Sequence, residues 1–360
     1  MLTCGLVGLP LAGKTTIYNV VTNAGVATKA YAGSSIAPHR AVISVPDVRF
    51  DRLVELFQPH KATPASICIV DLAGIAPSNG QGPAVGKDLL TFAAEATALL
   101  HVVRAFDNDA VPHPEGKVDP ARDWRLLETE LILRDLQVIE NRLSRMGNGR
   151  GKRAPSETAE AELLERCQAH LMEEKPLRTL DLTEVGRKAL SGYAFLTLKP
   201  QVLVLNAHEG LGYDDADLAA LAQARGLGYV RVYGQIEAEL AELLPEDRYA
   251  FLEDLGVSQL GRDRLLAEAY RHLGLISFYT VGKDEVKAWT IPAGSTAVKA
   301  AGAIHTDLAR GFIRAQVVSY DDLLANGGTL AGARQAGKLR LEGRDYVVKD
   351  GDILEILFNV

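Results

Sequence analysis

The sequence predicts an α/β chain with a mostly parallel sheet, interrupted by a long helical hairpin and followed by a smaller α+β module. Three observations carry this. Short apolar segments alternate with helical ones from Leu2 to Phe106 and again from Gln201 to Val232. A heptad-type pattern fills the interval between them. After Leu275, β-branched and aromatic residues dominate.

In order, the strands are Leu2 to Val7, Ser66 to Val70, Ala98 to Val103, Gln201 to Leu205 and Tyr229 to Val232. A helix follows the first strand from Thr15, and another runs from Asp214 to Arg225. Ile132, Leu136, Ile139, Leu143 and Met146 step by four, three, four and three, which is a helical seam. The seam stops at Gly147-Asn148-Gly149-Arg150-Gly151. A second helix, Ser156 to Glu174, puts Leu164, Cys167 and Leu171 on one face, with Ser156 as its expected N-cap. The two helices form an antiparallel hairpin. Its turn holds Arg142, Arg145, Arg150, Lys152 and Arg153 with no acid from Asn141 to Ser156. Such a turn is either a solvated tip or a contact for a phosphate backbone. The last module shows strands at Phe278–Val281, Val286–Ile291, Phe312–Val317 and Ile353–Phe358, with turns at Gly343–Tyr346 and Lys349–Asp352.

At 360 residues the chain has room for two or three domains. Hydrophobic residues are 47% and charged residues 24%, an ordinary globular balance that argues against extensive disorder. A net charge of −7 supplies no overall basic field for nucleic acid, so such contact would need a local patch. No apolar run reaches the ~18 residues of a membrane helix, and Met1–Gly5 does not begin a signal peptide. Cys4, Cys68 and Cys167 are odd in number and far apart, which fits a reducing cytoplasm.

Gly8-Leu9-Pro10-Leu11-Ala12-Gly13-Lys14-Thr15 matches G-x-x-x-x-G-K-[ST] between a strand and a helix. Glycines at its ends let the backbone N–H groups curl around a phosphate chain, and the helix N-terminus adds partial positive charge. Lys14 is then the residue for the β- and γ-phosphates, and the Thr15 hydroxyl is the Mg²⁺ ligand. Thr16 belongs to the same nucleotide-binding run. Asp71-Leu72-Ala73-Gly74 reads as D-x-x-G at a strand end, with Asp71 holding Mg²⁺ through water and the Gly74 N–H sensing the γ-phosphate. Asn206-Ala207-His208-Glu209 occupies the place of N-K-x-D, the guanine-reading motif of P-loop GTPases. Glu209 is a methylene too long for that bidentate contact, whereas Asn206 can address the donor and acceptor edge of adenine. ATP, GTP or both remain open from these residues.

These motifs, with Phe106–Asp109, Gly116–Pro120, Tyr193–Pro200, Ile236–Glu239, Lys287–Thr290, Ile304–Asp307 and Phe358–Val360, resemble the YchF (Obg-like) ATPases over nearly the whole chain. The resemblance implies a P-loop G domain (1–122 and 194–275), a coiled-coil insertion (123–193) and a C-terminal, β-grasp-like TGS domain (276–360). It also implies ATP hydrolysis with Mg²⁺ and association with ribosomes or ribosomal RNA, in translation or stress responses. The docking surfaces would be the arm tip (Arg150, Lys152, Arg153) and the TGS domain, on a cytoplasmic monomer. Ile75 stands where many GTPases place a water-orienting Gln, and an aliphatic side chain cannot polarise water. The family supplies a His from a mobile loop instead, and His113 matches it; an imidazole suits that task near neutral pH.

The sequence departs from the family at several places. Ser35-Ile36-Ala37-Pro38-His39 replaces Thr-Ile-Glu-Pro-Asn, leaving the Ser35 hydroxyl for Mg²⁺. Leu11-Ala12 replaces Asn-Val, Gly82-Pro83-Ala84 replaces a Gly-Glu-Gly stretch, and Tyr233-Gly234-Gln235 replaces small residues, putting Gly234 and Gln235 at the purine. Three functions follow as expectations. One is a slow Mg²⁺-dependent ATPase using Lys14, Thr15, Ser35, Asp71, Gly74 and His113. The second is a nucleotide-gated ribosome binder with little hydrolysis. The third is a GTPase.

Overall fold

The computed structural model describes residues 2–23, 39–71, 87–147, 155–208, 215–241, 243 and 259–359. Along the chain these form β1 (Thr3–Val7), α1 (Lys14–Thr22), β2 (His39–Ser44), α2 (Val48–Phe57), β3 (Lys61–Thr63), β4 (Ser66–Asp71), α3 (Lys87–Glu95) and β5 (Ala98–Ala105). The long helices α4 (Pro120–Gly147) and α5 (Pro155–Met172) come next, then α6 (Glu184–Leu190), β6 (Gln201–Ala207), α7 (Ala216–Ala224), β7 (Gly228–Val232), α8 (Gly234–Ala241) and α9 (Gly261–His272). The chain closes with β8 (Leu275–Thr280), β9 (Glu285–Pro292), α10 (Ala297–Ile304), α11 (Thr306–Arg310), β10 (Phe312–Ser319), α12 (Tyr320–Ala325), α13 (Leu330–Gln335), β11 (Arg340–Glu342) and β12 (Asp352–Phe358).

Two units result, one of Met1–Ile43 with Cys68–Ala269, the other of Ser44–Ile67 with Tyr270–Val360. The first is built on a sheet of order β2-β4-β1-β5-β6-β7. β1 pairs in parallel with both β4 and β5, and β5-β6 and β6-β7 are parallel too. β5 and β6 are buried along their whole length, as parallel strands covered on both faces must be. On one side Val7, Val70 and Leu99 pack with Leu127 and Leu131 of α4. Nearer the start of the same helix, Trp124 packs with Val103, Leu203 and Leu205.

The heptad seam of the hairpin is realised. Ile132, Leu136, Ile139, Leu143 and Met146 share one cluster with Leu164, Cys167 and Leu171. Gly147 ends α4. The expected N-cap Ser156 lies instead inside the first turn of α5, which begins at Pro155. Proline suits that first position because its missing N–H would have no helical partner there. Cys4, Cys68 and Cys167 are free and buried, and burial pushes the Cys4 thiol up to about 12.

In the second unit the sheet order is β11-β10-β12-β8-β9-β3. β8-β9, β10-β12 and β10-β11 are antiparallel, while β12-β8 and β3-β9 are parallel. Ala297, Ala300 and Ala301 of α10 pack against Phe278, Phe312 and Val317; the small residues let the helix lie close to the sheet. The segment Ser44–Ile67 enters this unit through β3, whose Lys61, Ala62 and Thr63 pair with Glu285, Val286 and Lys287. Arg49 reinforces it by donating to Asp47 and Asp350.

Candidate functional site

The chain leaves β1 to one side for β4 and returns to the other side for β5, β6 and β7. Loops at the carboxyl ends of the strands therefore diverge around β1, where open α/β sheets bind ligands. The phosphate loop follows β1, Asp71 closes β4, Phe106 follows β5, Asn206 lies near the end of β6 and Gly234 follows β7.

Three residues give the phosphate loop its shape. Gly8, Leu11 and Gly13 have φ of 152°, 62° and 87°. A Cβ on Gly8 would lie 2.3 Å from the Val102 carbonyl oxygen, and one on Gly13 would lie 2.1 Å from Asn206 Nδ2. Both glycines are thus required by close approach as well as by conformation. Leu11 holds a left-handed conformation that suits Asn better than Leu. Leu9 and Ala12 are buried, and Pro10 and Leu11 are half-buried. Gly13 precedes α1 with no side chain capping the first turn, which leaves first-turn N–H groups facing the loop for an anion.

Lys14 is buried, and its ammonium donates to the carbonyls of Gly8 at 3.0 Å and Leu9 at 2.9 Å. Burial lowers its pKa to about 8, against the pull of the Asp71 carboxylate. Thr15 Oγ1 donates to Asp71 Oδ2 at 2.8 Å. These are two hard oxygen donors at the foot of α1, and they fit Mg²⁺, which takes one or two protein oxygens and completes its shell with water and phosphate. Among the described residues no cluster of three or more His, Cys, Asp or Glu gathers for another metal.

On the base side, Asn206 Nδ2 donates to the Ala12 carbonyl at 3.1 Å. Its Oδ1 would lie 2.7 Å from a Cβ on Gly234, and Thr16 Cγ2 would lie 3.2 Å from the same point. Thr16, Asn206 and Gly234 therefore meet, and Asn206 braces the phosphate loop as well. Gln235 is exposed and its amide donates to Glu239 along α8, so its side chain is engaged on its own helix.

His113 sits in a clamped loop. Its Nδ1 accepts from the Glu115 N–H at 3.1 Å, so the proton is assigned to Nε2, which lies 2.9 Å from Asp123 Oδ2. The side chains of His113 and Asp123 are each 4% exposed. Arg122 donates to Asp123 Oδ1 through Nε and Nη2, and to the carbonyls of Lys117 and Glu115. Arg104, buried in β5, donates to the carbonyls of Phe106 and Val111 and lays its guanidinium 4.6 Å from the Phe106 ring centre. Asp119 accepts from the Arg122 N–H at 2.9 Å and so caps α4, with Pro120 at its first position.

Ser35, Gly74, Glu209, Arg150, Lys152 and Arg153 lie outside the described residues. Arg104, Arg122 and Asp123 do not stand out in the sequence. Their partners are backbone carbonyls and a histidine with no motif spacing. For Arg122 and Asp123 the sequence signal is a charged pair at the start of an amphipathic helix, one residue after Asp119-Pro120.

A parallel sheet carrying this loop, a Lys14–Thr15–Asp71 constellation and an Asn at the end of β6 defines a P-loop nucleotide-binding protein of the GTPase type. Residues 3–137 match the family described as "50S ribosome-binding GTPase", and residues 275–359 match the C-terminal family of YchF GTPases, described as a protein of unknown function. The chain is 40% identical to a ribosome-binding ATPase YchF of Escherichia coli O157:H7, covering 99% of each chain. It is also 40% identical to that of Bacillus subtilis, covering 100% of each. The structure of the Schizosaccharomyces pombe YchF GTPase superposes with a TM-score of 0.85 at 30% identity, covering 99% of this chain and 97% of that one. The chain belongs to the YchF family.

Proposed function

We propose that this protein is a slow Mg²⁺-dependent ATPase that works on the ribosome in the cytoplasm, as a monomer, in translation or stress control. The observation that carries this reading is the preformed phosphate loop, with Lys14 buried over it and Thr15 paired to Asp71. Relatives named ribosome-binding ATPases over their full length support the substrate and the partner. Lys14 would bind the β- and γ-phosphates, Thr15, Ser35 and Asp71 would hold Mg²⁺, and the Gly74 N–H would meet the γ-phosphate. Bound there, Mg²⁺ would neutralise phosphate charge. Asn206 and Glu209 would read the purine beside Gly234. His113 would orient the attacking water, since Ile75 cannot. The helical hairpin and the C-terminal unit, read as a TGS domain, would dock on ribosomal RNA.

A second reading, a nucleotide-gated binder with little hydrolysis, is favoured by one feature: both ring nitrogens of His113 are occupied. Titration calorimetry with non-hydrolysable ATP and GTP analogues, Mg²⁺ present, tests the base. ATP should bind at least about tenfold tighter, a difference of about 1.4 kcal/mol; equal or GTP-favouring binding would sink the ATPase reading. Single-turnover phosphate release should disappear in Lys14→Ala, and no measurable release from the wild type would establish the second reading.

A further inference from the structure

We propose that Asp123 is a positioning residue that keeps His113 disengaged, and that breaking the His113–Asp123 contact is the step that arms the imidazole. This rests on the reading of His113 as the water-orienting group.

To orient or deprotonate water, an imidazole needs a nitrogen lone pair open to that water. His113 offers none here. Nδ1 already accepts from the Glu115 N–H at 3.1 Å, and Nε2 points its proton at Asp123 Oδ2, 2.9 Å away. With its side chain 4% exposed, the ring is also shielded from solvent. The arrangement is therefore a resting one, and hydrolysis through His113 requires it to open.

The charge pattern shows why it can open. Asp123 is buried, but Arg122 compensates its charge through two hydrogen bonds to the other carboxylate oxygen, at 3.0 and 2.7 Å. Losing the neutral His113 leaves that ion pair intact. By contrast, the ends of the loop are held by guanidinium groups that do not involve His113: Arg104 on the Phe106 and Val111 carbonyls, Arg122 on those of Glu115 and Lys117. The ring is thus the releasable part of a loop whose flanks stay anchored. Asp123 stands in the first turn of α4, a single helix of 28 residues that ends at Gly147, beside the basic turn. At 1.5 Å per residue it spans about 42 Å, so one rigid element carries both the Asp123 latch and the arm.

Single-turnover phosphate release from ATP, measured with Mg²⁺ on the full chain, tests this with three variants. Asp123→Ala should raise the rate about fivefold or more, with nucleotide affinity unchanged. Asp123→Ala combined with His113→Ala should fall to the His113→Ala level. Asp123→Asn keeps the shape and leaves a weaker, neutral acceptor for the Nε2–H, so its rate should fall between those of the wild type and Asp123→Ala. A merely structural role for the cluster would leave the rate of Asp123→Ala at that of the wild type, and that result would overturn the proposal. A lower rate in Asp123→Ala would also overturn it, because Asp123 would then assist His113. If His113→Ala alone matches the wild type, the reading of His113 fails, and the latch with it. An independent check needs no variant. In protein labelled with ¹⁵N-histidine, the His113 Nε2–H should be a protected resonance in the free protein. It should disappear in the complex with ADP and aluminium fluoride; persistence there would refute the proposal.

Discussion

Lys14 shows how one buried charge shapes the ligand it accepts. Its ammonium is held by two carbonyls of the loop it serves, and burial brings its pKa down to about 8 from 10.5. Phosphate oxygens favour the charged form. The sign follows: below pH 8 Lys14 is already protonated before nucleotide arrives, whereas above it the free protein must take up a proton to bind. Nucleotide affinity should therefore decline as pH rises through about 8. Calorimetric titrations at pH 8 in two buffers of different ionisation heat should give a net proton uptake that is absent at pH 6.5. Equal heats in the two buffers at pH 8 would show that Lys14 keeps its charge throughout. Leu11, with φ of 62°, marks where this chain replaces the family's Asn and accepts a conformation its side chain does not favour.

At the level of the element, a buried ion pair ties α4 to the segment that follows α5: Arg178 with Glu128, whose side chains are 7% and 5% exposed. Removing one member strands the other in a low-dielectric interior. Glu128→Gln should destabilise the first unit by roughly 3–5 kcal/mol, while Glu128→Leu with Arg178→Met should restore most of the loss. Urea unfolding followed by Trp124 fluorescence, in a Trp289→Phe background, reads that unit alone. A Glu128→Gln variant within about 1 kcal/mol of the parent would mean that water reaches Arg178. The elements themselves were largely legible. Continuous apolar runs and a period-3.5 pattern are local, so Thr3–Val7, Gln201–Ala207 and the Ile132–Met146 seam could be read from neighbours in sequence. β3 could not. Its partner in β9 lies more than two hundred residues away, and Lys-Ala-Thr carries no apolar alternation. The loop glycines and Lys14 were legible because phosphate binding demands a fixed spacing. Asp123 was not, because its contacts depend on how a loop folds back over a helix.

For the whole molecule, the balance of charge decides how it can meet an RNA-rich partner. The chain is net negative by 7, so a phosphate backbone repels it at long range. Contact must come from a local excess of positive charge, and the hairpin turn supplies one: Arg150, Lys152 and Arg153 with no acid near them in sequence. Each cation placed on a phosphate releases condensed counterions, and the salt dependence of binding counts them. In the triple variant Arg150→Ala, Lys152→Ala and Arg153→Ala, the slope of log K against log salt for ribosome binding should be shallower by about 2–3. Nucleotide affinity should be unchanged, since none of these residues belongs to the phosphate loop. Ribosome sedimentation across a salt series, with and without the ATP analogue, measures both. A slope equal to that of the parent would remove the arm tip from the interface and leave the C-terminal unit as the surface to test. A slope that flattens only when the ATP analogue is bound would mean that the arm engages RNA in the nucleotide-bound state alone, the behaviour expected of a switch.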